Sequence, residues 1–230
     1  MKLIDPVVYV EKYDGLKIMK NIERACRTCY RSEGAITEDS YKRLLNNCIN
    51  RGHESVLEHE KITIRVVGDI GTYKDLTRHR FASFSIESTR YCNYGKDKFD
   101  NEIKFMKPCH IDEGTPLYKE WEKGLKAIEK SYLAMSKMDA KPDQLRMLLP
   151  HSTAAEYTMT CNIREWRHIL SLRAAPMTHP TIRQIMIPLL LKFKEDMPEL
   201  FNSIEYDTEF PAEKYAKILP IKKKKKRRIE

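Results

Sequence analysis

The apolar residues of this chain change between a helical and a strand spacing several times, without a regular strand–helix–strand rhythm. From residue 41 to residue 49 they recur every three or four positions, as on one face of a helix. Ile62, Ile64 and Val66 instead alternate with polar or charged residues, as in a half-buried strand. Because the two patterns are interspersed irregularly, they predict an α+β fold rather than a doubly wound parallel sheet.

The same spacing predicts the other secondary-structure elements. We expect a strand at residues 7–10 and helices at residues 17–31, 69–79, 116–138, 142–149 and 162–173. A further helix is expected to begin at Pro180, since proline suits the first helical position, and to kink at Pro188. The pattern at residues 153–161 fits a strand or a helix equally well, and residues 83–89 are interpreted as an irregular polar segment.

The positive charge of the chain is concentrated at its C-terminus. The 230 residues have a formal net charge of +9, and residues 222–228 are seven consecutive lysines and arginines. A like-charge run of this length is typical of a disordered tail, and the alternative is an arm that binds a polyanion such as nucleic acid. We therefore predict one folded domain over residues 1–218 and a basic, disordered tail over residues 219–230.

The cysteines and the apolar stretches indicate the cellular compartment of the protein. The six cysteines are Cys26, Cys29, Cys48, Cys92, Cys109 and Cys161. The first residues do not resemble a signal peptide, so we expect reduced thiols and a cytoplasmic protein. The longest apolar stretch, residues 185–191, is too short to span a membrane. Cys26 and Cys29 have C-x-x-C spacing, but no β–α–β pattern adjoins them, so we interpret them as two half-buried structural residues.

The densest group of chemically active side chains lies at residues 78–91. Three arginines, one histidine and several hydroxyl groups occur within these fourteen residues. Arginine forks match the geometry of phosphate groups, and hydroxyl and backbone N–H groups of a loop can complete an anion site. The segment therefore predicts a phosphate-binding loop. The alternative is a solvated basic helix end, because arginine and histidine are favoured in a last turn.

Residues 162–173 predict a helix with two different faces. Ile163 and Trp166 fall on one face, whereas Arg164 and His168 are four residues apart on the opposite face. Such a helix can bury its apolar side and present an arginine and histidine ridge to a ligand. An ordinary surface helix is the alternative interpretation.

Metal and nucleotide motifs of the common kinds are missing from the sequence. His53 and His59 are six residues apart, whereas a zinc-binding helix needs two histidines four residues apart on one face. We therefore predict no metal site. The sequence also contains no G-x-G-x-x-G or P-loop motif, so a nucleotide would have to be bound in another way.

The arginine-rich segment resembles the signature of the flavin-dependent thymidylate synthases. Arg78, His79 and Arg80, followed after seven residues by Ser88, match this signature without a gap. Other segments that are similar to the family lie at residues 25–30, 52–59, 146–150 and 162–173. The resemblance covers all of the chain except its ends, since it runs over residues 5–210.

The resemblance implies an α+β fold with a mixed sheet flanked by helices, a homotetramer, and FAD bound where subunits meet. It also implies conversion of dUMP to dTMP, with methylene-tetrahydrofolate as the carbon donor and NADPH as the reductant of FAD. Tetrahydrofolate is released in this reaction. On this interpretation, residues 1–218 are a single catalytic domain.

Two sets of contacts follow from the resemblance, residue by residue. The implied FAD contacts are His53, Ser55, Arg78, His79, Arg80, Asn162, Arg164 and His168. The implied dUMP contacts are Asp75, Arg78, Glu87, Ser88, Thr89, Arg90, Arg146 and Arg173. Arg173 is the implied catalytic residue, because its guanidinium can meet the uracil edge and stabilise negative charge on the ring.

Ser88 is interpreted as a residue that positions the substrate, because a serine nucleophile needs an activating base. The sequence departs from the family at Asp75, where glutamine or glutamate is usual, and at residues 177–179, where other members have a different flavin-contacting segment.

Two other functions remain open at this point. One is a nucleic-acid-binding module that uses the tail and residues 78–91, and it predicts salt-sensitive binding. This interpretation does not explain why several separate segments resemble one enzyme family. The other is a homologue that binds FAD only as a structural element.

Overall fold

A computed structural model describes residues 1–221, and within them the chain forms seven strands and eight α-helices. The strands are β1 (Lys2–Ile4), β2 (Val7–Val10), β3 (Lys61–Asp69), β4 (Ala82–Ile86), β5 (Lys104–Met106), β6 (Ala154–Asn162) and β7 (Lys217–Pro220). The helices are α1 (Gly15–Thr28), α2 (Ser40–Asn50), α3 (Ile70–Leu76), α4 (Pro116–Lys137), α5 (Pro142–Leu145), α6 (Ile163–Arg173), α7 (Pro180–Asp196) and α8 (Pro198–Phe201). This mixture confirms the predicted α+β class, with helix ends shifted by a few residues.

Five strands form one mixed sheet in the order β4–β6–β3–β2–β7. Neighbouring strands are antiparallel except for β2 and β7, which run parallel. Strands β1 and β5 form a separate, short parallel pair. Near the end of β6, Cys161 pairs with Ala82 at the start of β4. This register brings the residues that precede β4 close to the first turn of α6.

Helix α6 is anchored on the central strand β3 by its apolar face. Ile62, Ile64 and Val66 of β3 are buried, as their alternation predicts. Ile163 and Trp166 of α6 are completely buried, and the Trp166 indole N–H donates a 3.0 Å hydrogen bond to the Ile62 carbonyl oxygen. The indole donor is thereby satisfied inside the core, and the opposite face of α6 points away from the sheet.

Helix α7 lies within the main core. Ile185, Met186, Ile187, Leu189 and Leu190 are each at most 1% exposed. The helix begins at the proline expected to start it and continues through the proline in its interior. A helix that is apolar on nearly every side belongs in the middle of a domain, and α7 contacts both α6 and β2.

A second, smaller apolar cluster lies beneath α4. Phe105 of β5, Leu125 and Tyr132 of α4, and Leu145 of α5 are its buried members that link these elements. The Tyr132 hydroxyl accepts a 3.1 Å hydrogen bond from the backbone N–H of Tyr94. The cluster therefore fixes the segment that follows the arginine-rich residues.

Three sequence-based interpretations need correction or completion. Residues 83–89 are not wholly irregular, because β4 covers residues 82–86 as an edge strand that pairs with β6. The ambiguous segment 153–161 is a strand. Cys26 is buried whereas Cys29 is exposed, so they are not two half-buried residues.

The C-terminal boundary also differs from the prediction. Strand β7 pairs with β2 as far as Pro220, so a boundary after residue 218 would cut through this strand. Residues 222–228, on which the tail interpretation depends, lie outside the described residues. Within residues 1–221, no helix is both long and apolar enough to cross a membrane.

Candidate functional site

An open cleft of about 1070 Å³ lies beside α6. It lies between α6, the turn that precedes β4, and the 3₁₀ turn Glu54–His59. Six of the predicted FAD contacts line it: Arg78, His79, Arg80, Asn162, Arg164 and His168. The fold therefore brings together two sequence segments that are more than eighty residues apart.

Local structure explains why these side chains meet. Asn162 ends β6 and caps α6, because its side-chain oxygen accepts a 2.8 Å hydrogen bond from the Glu165 backbone N–H. Residues 78–80 form the turn between α3 and the edge strand β4. Since β4 pairs with β6, this turn lies against the N-terminal half of α6. Arg164 and His168 are exposed on the outer face of α6, as the sequence predicts.

Arginine–glutamate pairs connect α6 with the 3₁₀ turn. Arg164 Nη1 lies 2.6 Å from Glu58 Oε1, and Arg167 Nη2 lies 3.4 Å from Glu54 Oε1. The Arg164 side chain is 50% exposed, and exposed ion pairs stabilise a protein by only about 0–1 kcal/mol. Its guanidinium can therefore exchange Glu58 for a phosphate group at little cost.

A buried polar network lies behind the cleft. The Arg173 Nε–H donates a 2.9 Å hydrogen bond to His79 Nε2, and Arg173 Nη2 donates a 3.0 Å bond to the Asp75 carbonyl oxygen. On the other side of the imidazole, Nδ1 lies 3.5 Å from Glu165 Oε1. Burial lowers the pKa of His79 to about 4, and the charges of Arg173 and His168 contribute in the same direction. The imidazole is therefore neutral near pH 7 and can accept the hydrogen bond from Arg173.

A second recess, of about 480 Å³, shares Arg78 with the cleft. It is also lined by Asp75, and its other basic side chains are Lys74, Lys107, His110, His151 and His179. The excess of basic groups favours an anionic ligand. Arg173 connects the two cavities. His79, which accepts one of its hydrogen bonds, lines the cleft, and Asp75, whose carbonyl oxygen accepts the other, lines the recess.

The remaining predicted dUMP contacts lie elsewhere on the described chain. Glu87 lines a third cavity of about 380 Å³, and its Oε1 accepts a 3.0 Å hydrogen bond from the Tyr94 hydroxyl. Ser88, Thr89, Arg90 and Arg146 line neither the cleft nor the recess. The predicted nucleotide contacts of one chain therefore fall into two groups, those at the cleft and recess (Asp75, Arg78 and Arg173) and those that line neither.

Two predicted FAD contacts also lie outside the cleft. His53 caps the 3₁₀ turn and Ser55 lies within it, and both are exposed without lining the cavity. Their neighbours Glu54 and Glu58 line it instead. The roles assigned to these two residues stay predictions.

A family profile described as thymidylate synthase complementing protein matches residues 16–199. That region is well over half of the chain. The chain belongs to this family. The profile includes α6, the turn before β4 and the 3₁₀ turn that line the cleft, but not the lining residues 203–205.

Curated relatives of this family member are named flavin-dependent thymidylate synthases. The one from Pyrococcus abyssi is 31% identical over 157 residues, which are 67% of this chain and 63% of that protein. The one from Geobacter sulfurreducens is 27% identical over 185 residues, which are 77% of this chain and 78% of the relative. The chain thus spans less than two thirds of the length of the Pyrococcus protein.

Solved structures share the fold of this family member. Thymidylate Synthase X from Helicobacter pylori, solved with FAD and dUMP, superimposes with a TM-score of 0.69 at 20% identity, covering 86% of this chain and 98% of that one. The UMP/dUMP methylase PolB from Streptomyces cacaoi, bound with 5-Br dUMP, gives 0.70 at 24% identity, covering 88% and 96%. At these identities the likeness shows a shared fold.

In this family member, the cleft contains residues that the sequence did not identify. Glu165 and Arg167 line it from within the predicted helix, and residues 203–205 reach it from beyond α8. Glu54 and Glu58 belong to the segment 52–59, whose resemblance to the family was a usable signal. No local pattern pointed to residues 203–205, because they approach the cleft only through the packing of α8.

Three large apolar side chains of this family member are exposed directly after arginines of the predicted sites. Phe81, Tyr91 and Met147 are 80%, 76% and 80% exposed. Single exposed apolar residues are common on protein surfaces. Here each one adjoins a predicted ligand contact, which is the position expected for residues that a ligand or another subunit covers.

Proposed function

We propose that this chain is a flavin-dependent thymidylate synthase that converts dUMP to dTMP. FAD is its cofactor, methylene-tetrahydrofolate donates the carbon, NADPH reduces the flavin, and tetrahydrofolate is released. The observation that carries this proposal is the gathering of six predicted FAD contacts in one cleft, beside Asp75, Arg78 and Arg173. The names of the curated relatives support the same conclusion.

The cleft is large enough for FAD, and its lining offers arginines to a pyrophosphate beside glutamates such as Glu54 and Glu58. Its volume of about 1070 Å³ lies at the upper end of the range for ligand pockets. Arg78, Arg80 and Arg164 offer guanidinium forks to a pyrophosphate, and the exposed Phe81 ring offers an apolar surface to a flavin or adenine ring. Bound FAD would supply the reducing hydride that completes the methyl group.

The recess fits the anionic end of dUMP. Arg78 and Lys74 provide positive charge for a phosphate group that is close to a dianion. Arg173, at the junction of the recess and the cleft, would face the uracil ring and stabilise the negative charge that makes C5 nucleophilic. None of the six cysteines lines either cavity, so the arrangement favours activation without a protein thiolate.

A second copy of the chain would complete the nucleotide site. The predicted contacts Ser88, Arg90 and Arg146 lie outside the cleft and the recess on one chain, and an exposed apolar side chain follows each of the two arginines. We infer that they reach the recess of a neighbouring subunit, in a homotetramer with shared active sites. Symmetric homo-oligomers with residues from two chains at one site are a common arrangement.

The purified full-length chain tests this function directly. We expect a yellow protein with a flavin absorption spectrum, which forms dTMP from dUMP when methylene-tetrahydrofolate and NADPH are both present. Omitting either compound should stop turnover, and the folate product should be tetrahydrofolate. A colourless protein that cannot be reconstituted with FAD would rule the proposal out.

A further inference from the structure

The guanidinium of Arg173 is held by groups of the protein itself. Its Nε–H donates to His79 Nε2 at 2.9 Å, and Nη2 donates to the Asp75 carbonyl oxygen at 3.0 Å. Two bonds from different nitrogens fix the plane of a guanidinium group. The direction in which Arg173 points therefore depends on the state of His79.

His79 can accept this bond in only one of its neutral forms. If Nε2 is the acceptor, the ring proton must be on Nδ1. Nδ1 faces Glu165 Oε1 at 3.5 Å, and His79 and Glu165 are only 6% and 8% exposed. This distance is longer than an ordinary N–H···O hydrogen bond, and within residues 1–221 no hydrogen bond to the Glu165 carboxylate is formed. Burial raises the pKa of Glu165, against the nearby charges of His168 and Arg164, so a proton donor such as His79 Nδ1–H would offset the cost of desolvating the carboxylate.

We propose that Glu165 is a positioning residue, which holds His79 in its Nδ1–H form so that His79 can aim Arg173 at the nucleotide. This inference rests on the proposed function, because it assigns Arg173 to the substrate. It also gives His79 a role beyond the flavin contact that the family resemblance implies. A histidine oriented by a carboxylate is an established device for fixing both tautomer and ring orientation.

Helix α6 holds both Glu165 and Arg173, the two residues that His79 would connect. Glu165 lies in the first turn of α6, three residues after its cap Asn162, and the adjacent Trp166 is completely buried. Arg173 lies in the last turn of the same helix, eight residues further on, which is about 12 Å along the axis. The ring of His79, from the turn before β4, lies between the ends of the Glu165 and Arg173 side chains. The rigid helix thus sets the separation of the two residues that His79 connects.

Two substitutions at Glu165 separate positioning from simple packing. Glu165→Leu removes the acceptor and preserves much of the volume, whereas Glu165→Gln keeps an acceptor oxygen. We expect Glu165→Leu to lower kcat for dTMP formation by at least about tenfold when turnover is measured per FAD-loaded site. Glu165→Gln should recover most of the turnover. Glu23→Gln is the matched control, because Glu23 is also buried but lies on α1, where it pairs with Arg27 at 3.0 Å.

A spectroscopic measurement tests the same inference without any turnover. In ¹⁵N-histidine spectra of the full-length protein, with the His79 signal assigned by its loss in His79→Gln, wild type should show Nδ1 protonated. Glu165→Leu should show a mixture of the two neutral forms. Unchanged His79 spectra, or normal turnover in Glu165→Leu, would overturn the inference. Absence of dTMP synthesis in wild type with the expected His79 spectra would instead contradict the proposed function.

A double substitution tests whether Glu165 acts through Arg173 or only supports the packing of the site. In the Arg173→Ala background, Glu165→Leu should have no further effect on residual turnover, because residues that act as one unit are not additive. An additional loss of the same size as in wild type would show that Glu165 acts independently of Arg173 and would refute the proposed path.

Discussion

At the scale of single residues, Arg173 is the residue to which the catalytic role is assigned. It lines neither cavity directly, and its guanidinium is bonded to His79 and Asp75. Arg173→Ala should therefore lower dTMP formation by about 10²–10³-fold while the protein retains FAD, because removing a donor to developing negative charge costs that much. The measurements are turnover and flavin-to-protein ratio, with exposed Arg24→Ala as the control. Near-normal turnover would remove Arg173 from the catalytic role.

The pKa of His79 predicts a contribution to pH-dependent stability. Its folded-state pKa of about 4 lies below the ordinary value of 6.5, so between these values the unfolded chain binds a proton that the folded chain does not. The free energy of unfolding therefore falls as the pH is lowered through this window, and His79 should account for about 1–2 kcal/mol between pH 6.5 and 5.

Denaturant unfolding of wild type and His79→Gln at both pH values measures this contribution. Wild type should lose more stability than the variant as the pH falls. The raised pKa of Glu165 acts in the opposite direction, and Glu165 is present in both proteins. Equal losses would show that His79 titrates normally in the folded protein.

The cysteines give a separate prediction at this scale. Burial raises the pKa of the Cys48 thiol to about 12 and that of Cys109 to about 11, which disfavours thiolates at neutral pH. We expect replacement of each of the six cysteines by alanine, one at a time, to alter stability and leave the turnover of the folded, FAD-loaded protein unchanged. Loss of turnover in any such variant would restore a covalent cysteine mechanism.

At the scale of elements, the start of α1 packs tightly against the end of α7. A Cβ atom added at Gly15 would lie 2.5 Å from the Asp196 carbonyl oxygen and 2.9 Å from the Met197 side chain. Backbone cannot yield as a flexible side chain does, so Gly15→Ala should destabilise the protein by about 1–3 kcal/mol.

Gly124→Ala is the matched control for this packing prediction. Gly124 lies inside α4 with nothing near its added Cβ atom, so alanine there should be neutral or stabilise by up to about 1 kcal/mol. Denaturant midpoints of the two variants provide the comparison. If Gly15→Ala were as stable as Gly124→Ala, the contact between α1 and α7 would be looser than described.

At the scale of the whole molecule, shared active sites predict complementation between two inactive variants. Arg173→Ala disables one group of predicted contacts and Arg146→Ala the other. If each site takes one group from each of two chains, random co-assembly should leave about a quarter of the sites intact. We expect co-refolded mixtures to regain turnover that neither variant has alone. A mixture as inactive as its components would place both arginines in one subunit's site.

The basic run at residues 222–228 lies outside the described residues, and its role remains a prediction. Seven adjacent like charges would each need a desolvated partner inside an interface, which is costly. Deletion of residues 222–230 should therefore leave FAD content, oligomer size and dTMP formation unchanged, and reduce only salt-sensitive retention on heparin. A loss of turnover or of the oligomer would assign the tail to the functional assembly.

Local spacing was sufficient for much of the fold. Periodicity reports which side of an element is buried, so it identified β3 at Ile62, Ile64 and Val66, and both faces of α6. It did not identify β4, whose serine-rich alternation at the sheet edge resembles a polar loop. The short strands β1, β5 and β7 were also missed, because, unlike the valine-rich β2, their three or four residues carry no clear strand pattern.

The sequence by itself determined the α+β class, the arginine and histidine ridge of α6, and the motif that begins at Arg78. Only the tertiary structure decided that Glu165 faces His79, that Arg173 bonds to His79 from 94 residues away, and that the nucleotide contacts fall into two groups. The physical reason is that periodicity encodes burial along one element. The contacts between elements depend on sheet register and helix packing, which no local spacing specifies.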